Sequence, residues 1–166
     1  MRTEEIGRMF ENWEAAKHLG LYLDNLEKGK CEVALEIKKG TMTPHEDSVL
    51  LGGVILTAAS MAGVMALMTL LKKDEDGLIT DVLEAKFFQP AIPEEKYVLI
   101  RTAVLRAPNK NKAGQTRRDA IIVAKAVSPN EELKAEFLFR YAVVPKNRRH
   151  KRVEELRRRV NAILPQ

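Results

Sequence analysis

Apolar and polar residues change period several times along the chain, and each change marks a new element. Ile6, Met9, Phe10 and Trp13 recur at helical spacing, with Lys17 continuing the register, and Thr3 ahead of Glu4 and Glu5 suits a helix start. One amphipathic helix is predicted there. The period then drops to two. Leu19, Leu21 and Leu23 form one alternating run, and Cys31, Val33, Leu35 and Ile37 form a second. Lys28-Gly29 lies between the runs as a turn, so the pair reads as an antiparallel hairpin.

After Pro44 the alternation stops. From Val49 to Leu71 the chain carries no charged residue: VLLGGVILTAASMAGVMALMTLL. Its length could span a bilayer, and its Gly, Ala, Ser and Thr would suit close packing there. The competing reading is a helix over residues 50–71 covered on every side by protein. The remainder of the chain favours the buried helix. Four strand-like segments occupy about 78–88, 97–106, 118–127 and 133–144, with a polar loop at 107–116. In the last strand Leu133, Ala135, Phe137, Phe139, Tyr141 and Val143 share one face, while Lys134, Glu136 and Arg140 share the other. A sheet with one dry face needs a partner layer, and the apolar helix is the segment long enough to provide it. A single sheet cannot wrap a helix that is apolar all round, so a second copy of the chain is expected to finish the burial.

Composition adjusts this picture in three ways. At 166 residues and 45% apolar, the chain can form one domain with a real core. Cys31 is the only cysteine and cannot pair within the chain. No apolar stretch resembling a signal peptide opens the sequence, so a reduced, cytoplasmic setting is expected. The formal charge of +5 is unevenly placed. Residues 145–166 hold eight Lys and Arg against Glu154 and Glu155, leaving the rest close to neutral. The expected organisation is a domain over 1–144 and a basic helix over 145–166. Val153, Leu156, Val160 and Ile163 give that tail an apolar stripe. This favours a helix docked on the body over a nucleic-acid arm.

A long apolar helix begun by a Gly-Gly pair and wrapped by an antiparallel sheet resembles the hot-dog fold, an α+β architecture. The resemblance runs from about His18 to Val144, and it is nearest to the acyl-CoA thioesterases related to the phenylacetate-pathway enzyme. Their pattern is a loop Asn, a Gly, then His-Gly-Gly, with an acidic residue further along the helix. Here the matching run is His45-Glu46-Asp47-Ser48-Val49-Leu50-Leu51-Gly52-Gly53, and the helix continues to Ser60. The segment Phe87 to Ala91 (FFQPA) resembles the family's strand that ends in an aromatic, a polar residue and Pro.

The motif has a physical rationale. A helix start exposes unpaired N–H groups at the positive end of the helix dipole, and glycine lets a carbonyl come close to them. Gly52 and Gly53 are therefore candidates to hold a thioester oxygen as charge develops on it. They would serve equally to let the helix pass close to a neighbour. Two positions depart from the family: its His falls on Leu51, and its catalytic carboxylate falls on Ser60. A serine without a base of its own cannot activate water as a carboxylate does. Glu46 or Asp47, beside His45 where the family has Asn, are candidate replacement bases or simply helix caps. Gln89 stands where some members place a Ser that orients water, and reads equally as a strand-end residue.

Where the family has a strand-turn-strand near the coenzyme A tail, this chain has Arg106, Lys110, Lys112, Arg117 and Arg118. They are candidate phosphate ligands or an ordinary solvated loop. Scattered histidines and a single cysteine suggest no metal site, and no cofactor is implied beyond coenzyme A as part of the ligand. The resemblance implies a thioester hydrolase acting on acyl-CoA or acyl carrier protein. The serine at position 60 supports a second reading, a hot-dog module that binds an acyl-CoA or similar long ligand without cleaving it.

Overall fold

The computed structural model describes residues 3–43, 49–108 and 118–146. The tail beyond Lys146, with its expected helix, lies outside them. The order of elements is α1 (Thr3–Glu11), α2 (Glu14–Leu19), β1 (Leu21–Glu27), β2 (Lys30–Glu36), α3 (Gly52–Met68), β3 (Glu75–Phe87), β4 (Tyr97–Arg106), β5 (Arg118–Val127) and β6 (Leu133–Pro145). The six strands form one antiparallel sheet in the order β1-β2-β4-β5-β6-β3, and α3 packs on one face of it.

The N-terminal segment is two helices where the periodicity predicted one. The Asn12 side chain donates to the Arg8 carbonyl at 2.8 Å, and Trp13 takes extended backbone at φ −81, ψ 107. A side chain that bonds its own helix backbone offers the chain an alternative to continuing, and the helix stops there. Leu19, placed by the alternation in a strand, ends α2 instead. Gly20 follows in the left-handed conformation at φ 72, and its N–H bonds back to the carbonyls of Ala16 and Lys17. The hairpin forms as expected, turning at Lys28-Gly29 with Gly29 at φ 76.

The charge-free segment is the central helix, and among the described residues no helix is long and apolar enough to cross a membrane. It starts at Gly52 and not at 50, because Leu50 bridges Met42 and Leu51 is extended. Its small residues Ala58, Ala59, Ala62, Gly63 and Ala66 are buried against the sheet, which lets the strands approach closely. From the sheet come Val33, Leu35, Val98, Ile100, Ile122, Phe137, Phe139 and Tyr141, all fully buried. Thr102, in the middle of this surface, holds its hydroxyl within hydrogen-bond distance of the Cys31 and Ala62 carbonyls, at 3.1 and 3.2 Å.

Two expectations about exposure are corrected. Lys134 does not lie in water beside Glu136 and Arg140. It is 3% exposed, with its ammonium 2.6 Å from Glu95 and 3.2 Å from Glu132. The connection after β3 folds over it and supplies the carboxylate that makes this burial tolerable. Strand β3 is not half buried either. It is an edge strand paired only with β6, and everything from Ile79 to Phe87 is exposed, including Val82 and Leu83. The nearby side of α3 is open too: Gly53 and Thr57 are exposed, and Leu56, Ser60 and Val64 are partly so. Among the described residues an apolar strip of helix and strand is thus left uncovered.

Candidate functional site

The start of α3 is clamped from two sides. Leu50 N–H donates to the Ala91 carbonyl at 2.9 Å, and Leu51 N–H donates to the Thr41 carbonyl at 3.0 Å. Leu51 then caps the helix through its own carbonyl, which accepts from Val54 and Ile55. The N–H groups of Gly52 and Gly53 have no acceptor among the described residues. The first turn holds no acidic side chain to neutralise the dipole. Among the described residues this leaves a positively polarised helix start at the two glycines.

The two glycines differ in what surrounds them. A Cβ added to Gly52 would meet the Phe87 ring at 2.9 Å, whereas one on Gly53 would meet nothing within 4 Å. Gly52 is small because an aromatic ring rests on it. Around Gly53 the described residues leave the Cβ position open. Beside them is a cavity of about 360 Å³ walled by Leu50, Ile55, Phe87, Phe88, Pro90 and Ala91, with Gln89 also on its rim. The structure therefore brings Gly52 and Gln89 to one cavity, 37 residues apart in sequence. Four residues of the apolar wall, Phe87, Phe88, Pro90 and Ala91, come from the segment whose sequence resembled the family's strand end. Their meeting with Leu50 and Ile55 was not legible there.

Ser60 is placed differently. Seven residues at about 100 degrees each bring it nearly back over Gly53, and Gly53, Thr57, Ser60 and Val64 form one open stripe on α3. It does not line the cavity. Its hydroxyl donates to the Thr57 carbonyl at 2.8 Å, and the Thr57 hydroxyl donates to the Gly53 carbonyl at 2.8 Å. Both groups are bonded to their own helix, and neither has a base beside it among the described residues.

His45, Glu46 and Asp47 lie outside the described residues, as do Lys110, Lys112 and Arg117. The loop that carries the first three is closed at its base, where Thr43 N–H meets the Val49 carbonyl at 2.9 Å, two residues before Leu51. Arg106 ends β4 and is exposed. Arg118 opens β5 and is ion-paired with Glu75, both about 10% exposed, so its guanidinium is held inside the fold. Within one chain neither arginine is near the cavity. Phe87 pairs with Ala135 while Arg118 pairs with Val143, eight residues further along β6. At about 3.3 Å per residue this separation is roughly 25 Å.

Two buried groups near α3 are strongly shifted. Burial, with a smaller push from Glu32, raises the Cys31 thiol to about 12. Burial also raises the Tyr141 phenol well beyond its ordinary range, and its hydroxyl donates to the Ser60 carbonyl at 2.7 Å. Lys134 is depressed by burial, but its bonds to Glu95 and Glu132 outweigh this and hold its pKa above the usual lysine value.

No protein-family model matches the chain, and no curated protein matches it in sequence. Solved structures do match. A thioesterase from Haemophilus influenzae superimposes with a TM-score of 0.69 at 19% identity, covering 88% of this chain and 92% of that one. A thioesterase family protein from Silicibacter pomeroyi gives 0.67 at 19%, covering 87% and 99%. The E. coli PaaI protein of the phenylacetic acid degradation operon gives 0.66 at 16%, covering 86% and 92%. With a six-stranded antiparallel sheet wrapped on a central helix and these thioesterase neighbours, the chain has the hot-dog fold.

Proposed function

We propose that the chain is a thioester hydrolase acting on acyl groups carried by coenzyme A or acyl carrier protein, and that it works as a homodimer. The observation that supports this reading is the pair of glycine N–H groups at the start of α3 that have no acceptor among the described residues, with an apolar cavity beside Gly52. The thioester carbonyl oxygen accepts from Gly53 N–H. Water adds to the carbonyl carbon, and the negative charge that develops on the oxygen is held by the helix start. Collapse of the tetrahedral species expels the coenzyme thiolate, which takes up a proton, and leaves the free carboxylic acid.

The proton removed from water needs an acceptor. No carboxylate walls the cavity among the described residues, and Ser60 donates its hydroxyl to its own helix. The loop from Thr43 to Val49 is anchored beside the helix start, which favours Glu46 or Asp47 as the base. A dimer supports the same site from the other side. Pairing two β3 edges about a twofold axis runs them antiparallel and closes the open edge of each sheet. It also carries the start of the partner's β3, with its neighbouring basic end of the sheet, towards this chain's Phe87. Coenzyme phosphates would then meet arginines that one chain alone keeps distant.

The bonded state of Ser60 favours a second reading, an acyl-thioester-binding module without turnover. Thiol release from acyl-CoA, measured for wild type, Glu46→Gln, Asp47→Asn and Ser60→Ala, separates the two. Turnover that survives Ser60→Ala and falls by about 100-fold or more on one of the loop substitutions supports the hydrolase. Tight acyl-CoA binding with no turnover in any of them supports the module.

A further inference from the structure

We infer that Phe87 sets the length of acyl group the site accepts. This rests on the site reading above and names the residue that limits its substrate. The cavity of about 360 Å³ lies at the small end of ligand pockets, which run from about 300 to 1,000 Å³. Phe87 bounds it on the strand side. Half-exposed on its edge strand, the ring rests against two surfaces. One is the backbone at Gly52, where an added Cβ would lie 2.9 Å from the ring. The other is Phe137, whose ring stands edge-on at a centroid distance of 5.5 Å and is itself fully buried.

Beyond that ring, apolar surface continues. Val82 and Ile79 pair with Phe139 and Tyr141 on the same face of β3. Leu56 and Val64 lie part-exposed on α3. The Phe87 ring, resting on Gly52, is the cavity's wall on the β3 side, so an acyl chain lying in the cavity meets it before Val82 and Ile79. Removing the ring joins the cavity to this apolar surface and admits longer chains. The smallness of Gly52 has the same cause, because any side chain there would displace the ring.

The test measures binding and so does not depend on turnover. Ketone analogues of acyl-CoA, with a methylene in place of sulfur and acyl chains from acetyl to palmitoyl, are titrated into wild type, Phe87→Ala and Phe87→Leu. Each methylene that enters an apolar site strengthens binding about fourfold. In wild type the gain is expected to stop at short chains. In Phe87→Ala it should continue for at least two more methylenes, about fifteenfold in total, with Phe87→Leu between them. If Phe87→Ala does not fold, Phe87→Leu carries the comparison against wild type. Affinities that climb together through long chains in all three proteins overturn the role of Phe87 and leave the site standing. Failure of every analogue to bind wild type removes the site, and the inference with it.

Discussion

The Tyr141 hydroxyl reaches across from β6 to the Ser60 carbonyl of α3 at 2.7 Å, and the same oxygen lies 2.6 Å from where a Cβ on Gly63 would sit. Strand and helix are thus fixed to each other at one point, made of a bond and a close approach. Burial keeps this phenol protonated, so the bond persists at all ordinary pH. Tyr141→Phe should lower stability by about 1 kcal/mol, and Gly63→Ala by about 1–3 kcal/mol through overpacking. Because both act on one oxygen, Gly63→Ala should cost less in the Tyr141→Phe background. Denaturant melts of the four proteins measure this, and strict additivity would show that the approach is not tight.

The helix-start glycines should respond differently to the same change. Gly53→Ala meets no neighbour, and alanine favours a helix, so the protein should be as stable as wild type or more so. Alanine keeps the backbone N–H, so the effect on catalysis comes from the methyl crowding the approach to the helix start, and kcat/KM should fall about tenfold. Gly52→Ala strikes the Phe87 ring and should lower both stability and activity. Steady-state kinetics beside thermal melts check the contrast. A Gly53→Ala protein of undiminished activity would show that no substrate group passes the Cβ side of Gly53.

The buried pair of Lys134 and Glu95 fixes the connection that carries Phe88 to Ala91. Glu95 also accepts from Ile92 N–H at 3.0 Å, and Phe88 N–H donates to the Lys134 carbonyl at 2.9 Å. Glu95→Gln leaves a buried ammonium with Glu132 alone and should cost about 3 kcal/mol. The pH dependence has a definite sign. A lysine whose folded pKa is raised contributes stability that is complete below the ordinary lysine value and is lost as pH rises through the raised one. Urea melts from neutral pH to about pH 11 should therefore show an alkaline loss, and Lys134→Met should lack that component.

Cys31 adds a second alkaline term and a practical one. It is 3% exposed, with burial raising its pKa from 9.0 to about 12. The folded state holds the thiol proton across that interval while the unfolded chain releases it, so stability falls as pH rises from about 9. The native thiol should resist Ellman's reagent for as long as the protein stays folded. Rapid labelling at neutral pH would mean that the β2 region opens readily.

Much of this architecture was legible in the residues. The hairpin followed from two alternating runs around Lys28-Gly29, and the central helix from a stretch without charge. What stayed hidden depended on contacts distant in sequence. The spacing of Ile6, Phe10 and Trp13 could not report that Asn12 would bond Arg8. Lys134 read as a solvent-facing residue because its alternation was correct, and Glu95, 39 residues earlier, joins Glu132 in making its burial possible. Gly52 and Gly53 looked equivalent until a ring from the end of β3 came to rest on one of them. Ser60 matched a motif by position, yet its hydroxyl is bonded to Thr57 and the cavity lies beside Gly52.

The central claim is that an acyl carbonyl is received at Gly53, and amide resonances report this directly. Isotope-labelled protein is titrated with the ketone analogue of a short acyl-CoA while proton–nitrogen correlation spectra are recorded. The expected result is a saturable downfield shift of the Gly53 amide proton, with smaller shifts at Gly52, Ile55 and Ala91, and its loss in Gly53→Ala. Saturable shifts confined to other surfaces, with the Gly52 and Gly53 amides unmoved, would contradict the account.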